Sequence, residues 1–128
     1  MNELQFTEGV LDRILSRESK YPERAYLFVL AAIEYLQHQL PARRHVTGEE
    51  LSCACRDLAL RQFGLLAPSV LGYWNIRETV DFGRIVFALV EAGLLMTQPN
   101  DRLEDFTDVY HFAEAFSAAR VWDRVAEL

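Results

Sequence analysis

Ala25-Tyr-Leu-Phe-Val-Leu-Ala-Ala-Ile-Glu-Tyr-Leu36 decides the fold. Apart from Glu34 it is apolar on nearly every side of a helix, and a helix apolar all round belongs inside a protein or a membrane. Its longest uninterrupted apolar run, Ala25 to Ile33, is about half of the roughly 20 residues that a bilayer crossing requires. It therefore reads as the central core helix of a folded domain, spanning about 22–40. Pro22 suits its first turn, and Glu23 sets negative charge against the positive end of the helix dipole. The break that follows is Pro41-Ala-Arg-Arg-His-Val46.

Outward on the N-terminal side, Phe6, Val10, Leu11, Ile14 and Leu15 recur at helical spacing, which predicts an amphipathic helix over about 3–18. On the C-terminal side, Thr47-Gly-Glu-Glu50 is a capping-box sequence flanked by a possible hydrophobic staple of Val46 and Leu51, and it opens a helix over 48–63. Leu51, Ala54, Cys55 and Leu58 share one face of that helix, and Gly64 is a left-handed stop candidate. Pro68 starts a short helix over 68–74. Asn75 can take the left-handed position after it, with Ile76 reaching back to Leu71. Thr79 reads as the cap of a helix over 80–92, which Gly93 ends with Leu94 set against Leu89. Beyond Gly93 the period changes. Leu94 to Gln98 is short and apolar, Pro99-Asn-Asp101 is turn chemistry, and Phe106 to Phe112 alternates, so a β-hairpin is expected over 94–112. Ala115, Ala118, Ala119, Trp122 and Val125 then predict a C-terminal helix over 113–127. The fold class expected is mostly α with one small hairpin, in a compact single domain of residues 1–128.

Composition agrees with a packed chain: 51% of residues are hydrophobic, 12% aromatic and 25% charged. Met1-Asn-Glu-Leu-Gln5 lacks the basic start and apolar stretch of a secretory signal, so the cytoplasm is the expected compartment and no membrane is implied. Cys53 and Cys55 lie about 200° apart around a helix, which prevents a mutual disulfide or shared metal. His38, His45 and His111 stand in separate elements with no metal-ligand spacing, so neither a metal nor a cofactor is expected. The net charge of -6 is concentrated in residues 65–128, with 5 basic against 10 acidic side chains, whereas residues 1–64 carry 8 against 9.

Arg43-Arg-His-Val-Thr-Gly-Glu-Glu-Leu51, Arg56-Asp-Leu-Ala-Leu60, Trp74-Asn-Ile-Arg77, Asp81-Phe-Gly-Arg-Ile-Val-Phe87, Leu89-Val-Glu-Ala-Gly-Leu-Leu95 and Tyr110-His-Phe112 together resemble a planctomycete- and verrucomicrobial-type conserved hypothetical family. The resemblance covers most of the chain and implies a small bacterial protein, but it transfers no activity. Asn75 stands where that pattern leads one to expect Gly, and the stretch after Phe116 is longer and richer in Ala. The element order also looks like a winged helix, in which a helix such as 80–92 and the hairpin meet DNA.

Three functions follow from these patterns. The first is a non-enzymatic protein–protein interaction or structural module, through a protein partner or its own copy, with Tyr73, Trp74, Arg77 and Tyr110 as the surface, because aromatics and Arg dominate binding hot spots. The same aromatics could instead fill the core. The second is a nucleic-acid-binding regulator. The expected outward stripe Asp81, Arg84, Ala88 and Glu91, and a hairpin carrying Asp101, Glu104, Asp105 and Asp108 against Arg102, argue against it, since affinity for DNA comes mainly from cations. The third is a small hydrolase, for which no phosphate loop or nucleophile elbow is present. Arg43, Arg44 and His45 form a candidate anion site beside a helix N-terminus. The alternative there is a solvated loop in which the arginines pair with nearby acids.

Overall fold

The computed structural model describes residues 14, 20–120 and 122. The helix expected over 3–18 therefore lies outside the described residues except for Ile14, which is helical and buried. The same holds for most of the C-terminal helix expected over 113–127, of which 118–120 and 122 are helical.

The central helix, α1 (Glu23–Gln39), packs on α2 (Gly48–Phe63) and on α4 (Thr79–Glu91). Ala25, Tyr26, Phe28, Val29, Leu30, Ala32 and Ile33 are buried along it, while Leu27 and Ala31 face outward, so it is covered on most sides but not all. The capping box of α2 forms as its sequence predicts: Glu50 N–H donates to Thr47 Oγ1 at 3.1 Å, and Thr47 N–H donates to Glu50 Oε1 at 3.0 Å. Val46 and Leu51 are both fully buried. After Gly64, at φ 53°, a 3-10 turn (Gly64–Leu66) leads into α3 (Ala67–Tyr73).

Two left-handed stops redirect the chain. Asn75, at φ 63°, follows α3, and Ile76 N–H donates to Leu71 C=O at 2.9 Å. Gly93, at φ 81°, follows α4, and Leu94 N–H donates to Leu89 C=O at 2.9 Å. Both are the six-to-one bond of a Schellman motif, and both bury the residue after the turn.

The hairpin expected over 94–112 does not form, and with it goes the winged-helix likeness. Among the described residues no strand is present beyond the isolated bridge residue Leu95. A 3-10 turn (Leu103–Phe106) instead drives Phe106 between α2 and α4, where its ring lies 3.0 Å from where a β-carbon on Gly48 would stand and 2.6 Å from where one on Gly83 would stand. Thr79 was expected as a helix cap. It is the first residue of α4, and its hydroxyl donates to Phe106 C=O at 2.6 Å and accepts from Val109 N–H at 3.2 Å. Asp108, at φ 49°, turns the chain in the middle of the supposed strand. The alternation was real, but Phe106, Tyr110 and Phe112 all turn toward the helices instead of lining one face of a ribbon. A short helix, α5 (Phe112–Ala115), places Phe112 beside Phe82, with ring centres 6.0 Å apart.

Candidate functional site

The expected anion site is occupied by the protein's own acids. Arg43 Nη2 pairs with Glu34 Oε1 at 2.9 Å, Arg44 grips both oxygens of Glu50 at 3.2 and 2.7 Å, and His45 Nε2 meets Asp101 Oδ1 at 3.0 Å. The Arg44 guanidinium, together with the Thr47 amide, holds the Glu50 carboxyl down at about 2. Underneath, the buried Gln37 side chain clamps the backbone of Arg44: its Nε2 donates to the carbonyl at 2.6 Å, and its Oε1 accepts from the amide at 3.2 Å. Residues 41–47 thus form a strap tied to α1 and α2. The sequence hid Gln37 because it sits in the polar Gln-His-Gln end of α1.

Asp81 is a second hidden centre. It was expected on an outward stripe, yet it is 1% exposed and collects four donors, which removes it from any DNA-facing surface. Its Oδ2 accepts from the amides of Arg77 at 2.8 Å and Glu78 at 3.1 Å, while Oδ1 accepts from the Tyr21 hydroxyl and from Arg84 Nη1 at 2.8 Å. Burial pushes its carboxyl up, but the Tyr21 hydroxyl, the Arg77 amide and Arg84 outweigh that and leave it below the ordinary value. Burial, followed by the bond to Asp81, raises the Tyr21 phenol well above its usual range. The network ties the chain before α1 to the first turn of α4, a structural task.

The aromatic set of Tyr73, Trp74, Arg77 and Tyr110 is not one surface. Trp74 lies in the core, its ring centre 5.6 Å from Phe28 and 5.8 Å from Phe63. Tyr110 is half-buried on α2, where its hydroxyl donates to Ser52 C=O at 2.7 Å and the Arg56 guanidinium sits 5.4 Å from the ring centre. Tyr73 is 85% exposed, and Arg77 is exposed with its guanidinium near Gly72. What sequence reasoning missed is that Tyr73 shares its segment with Leu65 and Leu66, which are 53% and 65% exposed. Residues 62–76 contain no charged side chain at all, a signal that was available in the sequence.

A small cleft of about 90 Å³ is lined by Arg56, Tyr110, His111, Glu114, Ala115 and Arg120. It brings His111 together with Tyr110, but no serine, threonine or cysteine lines it, so it lacks the nucleophile that hydrolysis by a histidine-activated side chain requires. Among the described residues no group of three or more His, Cys, Asp or Glu could hold a metal ion, and no helix is long and apolar enough to cross a membrane. No known protein family, curated protein or solved structure gives a significant match to the chain.

Proposed function

We propose that this protein is an interaction module that associates with its own copy through the stripe of Leu65, Leu66 and Tyr73. The observation that carries this is the concentration of three large exposed apolar side chains in nine residues of a segment with no charge. Isolated exposed apolar residues are ordinary on a protein surface, but a contiguous patch marks a contact site. Leu66 and Tyr73 are seven residues apart, a spacing that sets two helical positions on the same side of the 3-10 turn and α3, with half-buried Val70 between them.

A second copy is the favoured occupant on electrostatic grounds. At a net charge of -6, two copies repel each other overall. The uncharged stripe is where they can approach, and an apolar patch can complement itself in a two-fold contact. The stripe is backed by Phe63, Trp74 and Phe28, a packed aromatic cluster that holds it rigid. Full burial of a leucine contributes about 1.5–3 kcal/mol, whereas association costs about 4–15 kcal/mol, so three side chains per copy support a weak dimer and not an obligate one. Of the candidate residues Tyr73 belongs to this stripe, Trp74 lies beneath it in the core, and Arg77 lies past the end of the uncharged segment.

Size-exclusion chromatography with light scattering tests the proposal. The apparent mass should rise with concentration, and Leu66→Arg should restore the monomer without loss of helicity. A mass that stays monomeric at the highest soluble concentration would overturn it.

A further inference from the structure

The cleft between α2 and α5 holds a guanidinium fixed in place by its neighbours. Arg56 is anchored on two sides: Nε donates to Asp57 Oδ1 at 3.0 Å, and the group lies over the Tyr110 ring. Tyr110 is itself fixed by its hydroxyl on Ser52. With Nε engaged, the Nη1 and Nη2 edge remains, and it makes no hydrogen bond among the described residues. An arginine whose plane is set in advance loses little freedom on binding, and that edge offers two parallel N–H groups to a planar pair of oxygens. Arg120 and His111 line the same cleft, and Arg120 forms no ion pair among the described residues. Glu114 is the one acid in the lining.

The geometry points to a binding site for a small zwitterionic carboxylate, of the α-amino-acid class, with its carboxylate on Arg56 and Arg120 and its ammonium group toward Glu114. Two features select this class among oxyanions. The volume of about 90 Å³ falls well below that of pockets for drug-sized ligands, so it suits a compact molecule or end group. Glu114 on the wall opposes a phosphate dianion and attracts a cation, so a ligand carrying both signs satisfies the lining better than an anion alone. The Tyr110 ring supplies an apolar side. This site is independent of the stripe on α3 and makes no use of it.

Two-dimensional amide NMR titrations of the whole chain with glycine, acetate and inorganic phosphate, each to tens of millimolar, test the assignment. Glycine should cause saturable shifts centred on residues 56, 110, 111 and 114. Arg56→Ala should weaken that binding by about tenfold or more, and Arg56→Lys should weaken it measurably, because the point charge lacks the fork. Glu114→Gln should weaken glycine while leaving acetate unchanged or tighter, which also distinguishes a ligand contact from a general loss of folding. Overturning results are no saturable shift with glycine, tighter binding of phosphate than of glycine, or a Glu114→Gln protein that binds glycine as the wild type does. Spectra of the free variants that match the wild type beyond the substituted residue keep a folding defect from counting as a loss of the site.

Discussion

At the scale of single residues, two carboxylates with similar sequence surroundings do different work. Glu50 and Asp81 each stand at the third position of a helix and accept from the cap amide. Glu50 remains near solvent with Arg44, whereas Asp81 is enclosed by Tyr21 and the first turn of α4. Its removal leaves buried donors unpaired, so Asp81→Ala should lower the unfolding free energy by about 3 kcal/mol in urea denaturation, and Tyr21→Phe by about 1 kcal/mol. Acid should weaken the fold through both groups. The Glu50 carboxyl is held at about 2, below its ordinary 4.5, so its contribution is fully present above about pH 4.5 and is lost as pH falls toward about 2. The depressed Asp81 carboxyl acts in the same direction. Urea midpoints between about pH 6 and pH 3 should therefore fall, and Glu50→Gln should flatten that slope. Glu50 could be read from sequence because a capping box is local. Asp81 could be read as an acid at a helix N-terminus, but its burial could not, because Tyr21 is 60 residues away, and neither could the role of Gln37, whose partner is the backbone of a loop.

At the scale of elements, local rules located the helices and failed where the chain answers to distant ones. The cap at Thr47 and the stops at Asn75 and Gly93 are written within six residues each, and the structure carries the bonds they imply. The segment after Gly93 has the alternation of a strand, yet its destination is the notch that Gly48 and Gly83 leave between α2 and α4. No short-range pattern shows that two glycines 35 residues apart open space for Phe106. The notch makes a sharp demand: Gly83→Ala would put a methyl group 2.6 Å from the Phe106 ring and should destabilise by about 1–3 kcal/mol, where this change in a helix ordinarily stabilises by about 0.5–1 kcal/mol. Phe106→Ala should cost about 3–5 kcal/mol by emptying the notch. Thermal melts of both variants, compared with Gly72→Ala, whose added carbon would meet only an arginine tip at 3.9 Å, separate crowding from helix propensity.

At the scale of the whole molecule, the described helices enclose one apolar core, and the longest stretch of the sequence without a charged side chain, 62–76, holds Leu65, Leu66 and Tyr73 at the surface. The helical class was legible from the run at Ala25–Leu36. Which aromatics face water was not, because Tyr73 and Trp74 are neighbours in sequence yet lie on opposite sides of the α3 boundary, one at 85% and the other at 8% exposure. DNA binding has lost its layout: the wing is a loop pinned to α2 and α4, and that loop carries Asp101, Glu104, Asp105 and Asp108. The proposed self-association would run through the exposed Leu65, Leu66 and Tyr73. Its most direct test is a dilution series of amide NMR spectra. The expected result is concentration-dependent shifts confined to residues 65–73 and their immediate neighbours. Spectra that do not change with concentration, or shifts centred on another face, would contradict it.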